Sequence, residues 1–230
     1  MRVLTEARVE RAARPATDRW KRARVAARDG ALLGFSFRPF QAEEFGLDTD
    51  DTLRELLAMP FDVVRLGAYW NRLESGTDQP CFAELDDHVA AVAAAGKRLV
   101  LCVGAVKCFG YPEVFVPSNR LQAPFPEGRL VEPGTHPELL EAALGFIGQV
   151  VERYRRCEAV VAWQVEHEAV DPLGIGHSWR LSERWVRHEV DAVRALDPDR
   201  RWCSTDFWQR RGRCVRSSGG APGTRATHSL

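Results

Sequence analysis

Apolar residues in this chain gather in short, nearly unbroken runs, and between the runs they recur every three or four positions. The runs are LLGFSF (32–37), DVVRLGAYW (62–70), RLVLCVGAV (98–106), AVVAWQV (159–165) and a weaker RWCSTDF (201–207). Continuous apolar character, without polar residues on alternate positions, predicts strands covered on both faces.

The intervening segments carry helix punctuation. DTDDTLRELLA offers Asp and Thr as N-caps and sets Leu53, Leu56 and Leu57 on one face, and ELDDHVAAVAAAG sets Leu85, Val89 and Val92 on a stripe that ends at Gly96. In THPELLEAALGFIGQVVERY, Thr135 and Glu138 have capping-box spacing, with Leu140, Leu144, Ile147, Val151 and Tyr154 at helical intervals. SERWVRHEVDAVRALDP carries Val186, Val190 and Val193, stops at Pro198, and reads as a solvated helix without chemistry.

Strands alternating with helices place the chain in the α/β class, with a parallel sheet covered by helices. A dinucleotide-binding sheet is disfavoured because no GxGxxG follows the first strand. A (β/α)8 barrel of the TIM type fits better, and its chemistry would lie at the C-terminal strand ends. There the sequence places Arg38, Tyr69, Trp70, Asn71, Lys107, Glu166, His167, Glu168 and Asp206.

Charge narrows the partners. Thirty-two basic residues balance thirty-two acidic ones among 230, so no overall field favours nucleic acid or an anionic membrane. The six cysteines, at 81, 102, 108, 157, 203 and 214, form no CxxC pair and no zinc spacing, and are expected to be reduced, buried thiols. The first thirty residues are charged throughout and no apolar stretch approaches the roughly 20 residues of a membrane span, so a cytoplasmic location is expected. The expected division is an Arg/Ala-rich extension over 1–30, an α/β domain over 31–207, and a tail over 208–230 whose Arg, Gly, Ser and Thr are typical of disorder.

Five segments then show a likeness. GFSFRPFQAEEFGLD, VVRLGAYWNRLES, LVLCVGAVKCFGYPEVFVP, VVERYRRCEAVVAWQVEHEAVDP and EVDAVRALDPDRRWCSTDF resemble, in order and approximate spacing, bacterial cellulase-like glycoside hydrolases of clan A, the (β/α)8 retaining enzymes close to family 5. In such enzymes the fourth strand ends in an Asn-Glu pair whose Glu is the general acid/base. The resemblance puts Glu168 in that role and His167 where the family has Asn, which normally hydrogen-bonds the sugar 2-hydroxyl. A carboxyl group among the apolar and aromatic walls of a barrel mouth would hold a proton near neutral pH.

Other matches support that site. Arg65 stands where the family carries an Arg beneath the catalytic carboxylates, though Glu43 or Glu44 could equally be its partner. Tyr69, Trp70 and Tyr111 offer faces for sugar stacking, and Glu166, with the strand parity of Gln164 and Glu168, is expected to point into the barrel toward Arg65. No cofactor is implied, because two carboxylates suffice. No metal is expected, because adjacent strand residues point to opposite faces and Glu166, His167 and Glu168 cannot converge.

The family's nucleophile, a Glu on the seventh strand, has no counterpart among these five runs. A (β/α)8 barrel takes roughly 250 residues, so the resemblance implies five βα units of eight, as a frameshift or a misplaced stop would leave. A half barrel would have unpaired edges and an uncovered apolar interior, an aggregation liability unless a partner covers it. An inactive or carbohydrate-binding remnant is the competing reading. An aldolase is disfavoured, since Lys107 is the one lysine at a predicted strand end.

Overall fold

The computed structural model describes residues 32–75, 80–109, 114–121, 128–170 and 179–205. Tyr111, Asp206, Cys214 and both expected terminal extensions, 1–30 and 208–230, fall outside those ranges. Within them, the elements in chain order are β1 (Gly34–Ser36), α1 (Pro39–Glu44), α2 (Thr49–Leu57), β2 (Val63–Gly67), α3 (Trp70–Leu73), α4 (Ala83–Ala94), β3 (Arg98–Cys102), β4 (Leu130–Val131), α5 (Pro137–Tyr154), β5 (Val160–His167), β6 (Arg180–Leu181), α6 (Glu183–Leu196) and β7 (Arg201–Thr205).

All five predicted strands form, and they make one parallel sheet in the order β1-β2-β3-β5-β7. Sequential neighbours pair in register, as Gly34 with Val63, Val64 with Leu99, Leu101 with Trp163 and Gln164 with Cys203. Among the described residues β1 and β7 are the sheet's edges. The sequence reading did not foresee the short helices α1 and α3, nor β4 and β6, two residues each, which pair in parallel with one another.

Alternation along the strands sorts their side chains onto two faces. Val64, Leu66, Leu99, Leu101, Trp163 and Val165 join the buried residues of the helices, among them Leu53, Val89, Phe146, Ile147 and Val190, in the main core. The opposite parity brings Cys102 into a smaller aromatic cluster with Tyr69, Cys108, Phe109 and Phe115. Gly67 is required there, because a Cβ at this position would lie 2.7 Å from the Tyr69 ring and 2.9 Å from Cys108 Sγ.

The helices follow their apolar stripes. Asp48 caps α2 by accepting from the Asp51 N–H at 2.8 Å, and Leu53 and Leu57 are buried beneath it. Ser182 caps α6 by accepting from the Trp185 N–H at 3.2 Å. The capping box expected at α5 does not form: His136 is the N-cap without a side-chain bond, Pro137 opens the helix, and the Thr135 hydroxyl instead bonds the Glu132 carbonyl and His136 Nδ1. With His136 rather than Thr135 at the N-cap, Glu138 stands at the second helical position instead of the third, and the spacing a box needs is lost. The buried face of α5 is also set by packing, with Leu139, Ala143, Phe146 and Val150 inside beside Ile147, Val151 and Tyr154.

Among the described residues five cysteines are free thiols, of which Cys102 and Cys108 are buried, while Cys81, expected inside, is exposed. No helix among the described residues is long and apolar enough to cross a membrane.

Candidate active site

Three of the predicted site residues sit together at the C-terminal tip of β5. The strand is fully apolar or buried through Val165 and then deforms: Glu166 and Glu168 both adopt left-handed backbone conformations, φ 56° and 50°, and the pairing with β7 slips between Gln164 and His167. Positive φ is costly for a residue with a side chain and persists where surrounding contacts hold it. Here those contacts are visible. The His167 N–H donates to the Lys107 carbonyl at 2.7 Å, Lys107 Nζ donates to the Glu168 carbonyl at 3.1 Å, and Gln164 Nε2 donates to the Glu166 carbonyl at 3.1 Å.

The distortion overrides the strand alternation on which the Glu166 expectation rested. Its side chain does not bond Arg65. It is fully buried, and its Oε1 accepts from the Val106 N–H at 2.9 Å while Oε2 accepts from the Lys107 N–H. Gly104 makes this possible, since a Cβ there would stand 2.5 Å from the Glu166 backbone. Burial raises the Glu166 carboxyl above its ordinary pKa, opposed by the two amide donors, by Glu189 and by the Lys107 charge.

Glu189 is the residue that sequence reasoning missed. It lies on α6, fully buried, with Oε1 accepting from the Trp185 indole N–H at 3.1 Å and the Glu166 carboxyl within hydrogen-bonding reach. Burial first, then the Glu166 charge and hydrogen bond, hold Glu189 well above the usual carboxylate range. A signal was present: Glu189 shares its helical face with Trp185, Val186, Val190 and Val193, all buried. A carboxyl on an apolar stripe is a polar group with an appointed partner.

Glu168 itself faces solvent, with its side chain 56% exposed and Oε1 3.9 Å from His167 Nε2. The apolar walls expected around it are not supplied by the described residues. His167 is half-buried, and its pKa is lowered by burial, then by the Arg65 charge, with Arg38 and Lys107 adding to the effect against Glu168. The imidazole is therefore neutral at pH 7, with one nitrogen a donor and the other an acceptor.

Arg65 projects from the middle of β2 over the Phe109 ring, 4.0 Å from guanidinium to centroid, and Arg38 approaches the same ring at 5.7 Å. Glu43 is not its partner, because Arg72 takes both Glu43 oxygens, at 2.9 and 2.6 Å, and also binds Glu84. Tyr69 and Trp70 are not open platforms. Tyr69 is buried against Phe40, Phe109 and Phe115, and burial pushes its phenol far above the ordinary value. Trp70 is fully buried and stacks on Phe146 of α5 at 5.5 Å, so it belongs to the core rather than to a sugar site.

The tip of β5 and the segment after β3 thus bring His167, Glu168, Lys107 and Phe109 to one end of the parallel sheet, with Arg65 reaching Phe109 from the middle of β2. Solved structures share this sheet architecture. A GH5_18 protein from Streptomyces cattleya, solved in complex with GlcNAc, superposes with a TM-score of 0.57 at 14% identity over 76% of this chain and 44% of its own. The native xylanase 10B of Thermotoga maritima gives 0.51 at 14% over 76% and 49%. The exo-beta-1,4-mannosidase Op5Man5 from an Opitutaceae bacterium gives 0.51 at 14% over 74% and 31%. The fold is that of the (β/α)8 glycoside hydrolases. At this identity the likeness concerns the barrel architecture alone, and the chain spans less than half the length of these neighbours, its described residues supplying five of the barrel's strands. No protein-family model and no curated protein sequence matches the chain.

In barrel terms β5 is the fourth strand of the sheet, so Glu168 stands at a fourth-strand tip. Among the described residues no three His, Cys, Asp or Glu side chains converge as a metal site requires.

Proposed function

We propose that this chain carries the acid/base half of a retaining β-glycosidase site, with Glu168 as the general acid/base. The observation that supports the reading most is Glu168's place at the tip of the fourth parallel strand, beyond a left-handed distortion that frees it from the strand's alternation. An exposed carboxyl at that tip can reach a glycosidic oxygen, give up its proton as the bond breaks, and take one from water in the second step.

His167, neutral beside Glu168, offers the sugar hydroxyls an imidazole N–H or lone pair where the resembling family offers an amide. Arg65 is held over Phe109 with its Nε buried and without a hydrogen-bond partner, a donor suited to a carboxylate on the barrel axis. The nucleophile would be a second carboxylate about 5–5.5 Å from Glu168. Glu166 does not serve, because both of its oxygens are committed to backbone amides. The second carboxylate therefore comes from outside the described residues, on the family pattern from a seventh strand.

Aryl β-glycosides test the proposal. Extended through the strand that supplies the second carboxylate, the protein should release the phenol, Glu168→Ala should lose turnover of substrates with poor leaving groups, and azide should restore turnover as a β-glycosyl azide. Release that is unchanged in Glu168→Ala would remove Glu168 from the role. No release from the wild-type chain, together with saturable sugar binding, would favour the binding remnant, a reading to which the missing second carboxylate lends weight.

A further inference from the structure

We propose that Glu166 and Glu189 hold one proton between them and form a latch that fixes the 104–107 segment against the end of β5, making Glu189 a positioning residue for the backbone that presents Glu168. The bond pattern requires unlike partners. Both Glu166 oxygens face N–H donors, as an ionised carboxylate demands. Glu189 has one oxygen on the Trp185 indole N–H, while its Oε2 is buried with no hydrogen-bond partner if it is only an acceptor. Two buried carboxylates in contact cannot both be charged without a prohibitive desolvation cost, whereas a proton on Glu189 turns the orphan oxygen into a donor toward Glu166.

The latch connects the helix layer to the strand tip through one residue. Lys107 gives its N–H to Glu166, its carbonyl to the His167 N–H, and its ammonium to the Glu168 carbonyl. Releasing Glu166 would therefore free the Lys107 backbone and, with it, the two left-handed residues on which the orientation of Glu168 depends. The close approach leaves no room to spare, since Gly104 admits no side chain against the Glu166 backbone. The other titratable groups acting on the pair are Lys107 and Cys108, both from the segment after β3.

Protonation of Glu189 sets the sign of the pH dependence. The unfolded carboxyl gives up its proton near the ordinary value of 4.5, whereas the folded one keeps it at higher pH. The pair's contribution to stability is fully present below that value and is lost as pH rises toward the folded value.

The test needs no sugar, so its failure is distinct from failure of the glycosidase reading. The wild-type protein at pH 7 should show the infrared C=O band of a buried protonated carboxyl that exchanges slowly with deuterium, and Glu189→Gln should lose it. Glu189→Gln keeps a donor toward Glu166, so amide exchange at Val106 and Lys107 should stay near wild type, while Glu189→Ala should accelerate it by about tenfold, the order expected for a lost hydrogen bond to a charged group. Glu189→Gln should also flatten the loss of stability as pH rises above 4.5. Absence of the carboxyl band from the wild-type protein would overturn the shared proton, and equal exchange rates in the Gln and Ala variants would overturn the latch.

Discussion

Replacing Trp70 separates a core residue from a binding platform, and its cost follows from the packing. The indole is fully buried between the sheet and α5, and stacks on Phe146 with an interplanar angle of 18°. Trp-to-Ala changes in a core cost about 3–5 kcal/mol, and loss of the ring pair accounts for about 0.5–1.5 kcal/mol beyond simple burial. Against a domain stability of about 5–15 kcal/mol, Trp70→Ala should remove about a fifth or more. Trp70→Phe should behave differently. The indole Nε1 is buried without a hydrogen-bond partner, a situation that costs about 1–3 kcal/mol, so removing the N–H offsets part of the lost volume while the stack on Phe146 is retained. The expected cost is below about 1.5 kcal/mol, the range of conservative hydrophobic exchanges. Urea unfolding followed by far-ultraviolet circular dichroism measures both, free of the change in tryptophan fluorescence. Unfolding of Trp70→Ala within about 1 kcal/mol of wild type, or a Phe variant as unstable as the Ala variant, would refute a core role for Trp70.

Further outcomes follow from the same geometry. Gly104→Ala places a methyl 2.5 Å from the Glu166 backbone and should destabilise by about 1–3 kcal/mol, as overpacking does, with chemical-shift changes centred on residues 104–107 and 166–168. His167, its pKa lowered by burial and by Arg65, should titrate in NMR below the ordinary 6.5; its contribution to stability is present above that value and lost as pH falls through the folded pKa, and His167→Asn should abolish this loss. Ser182→Ala removes the acceptor for the Trp185 N–H and should lower stability by about 1 kcal/mol, with hydrogen exchange in the first turn of α6 as the check. Tyr154→Phe breaks the 2.8 Å bond to Asp86, which Arg153 also holds, and should cost about 1–2 kcal/mol in urea unfolding.

The periodicities carried most of the architecture. Five apolar runs became five parallel strands in chain order, and the stripes of α2, α4, α5 and α6 faced the core, because burial on both faces of a sheet or on one side of a helix is a repeating demand that a sequence records directly. The tip of β5 was legible as a place for Glu166, His167 and Glu168, since an apolar strand that ends in charge has few other uses. Their separate orientations were not legible. Parity sends Glu166 into the barrel, yet a left-handed residue and a slipped register turn it to the Val106 and Lys107 amides, a choice decided by how closely Gly104 lets two segments approach. Glu189 looked like one more charge on a solvated helix, and only the docking of α6 on β5 makes it the partner of a buried carboxylate. Trp70 lies at a strand end, where an aromatic can serve a sugar or a core, and the position of Phe146 on α5 settled it. Local pattern determined which segments are strands and helices, because their period is written residue by residue. Tertiary contact between segments distant in sequence decided which carboxyl is buried, which is open to solvent and which holds the other in place, because those properties belong to neighbours that no local pattern names.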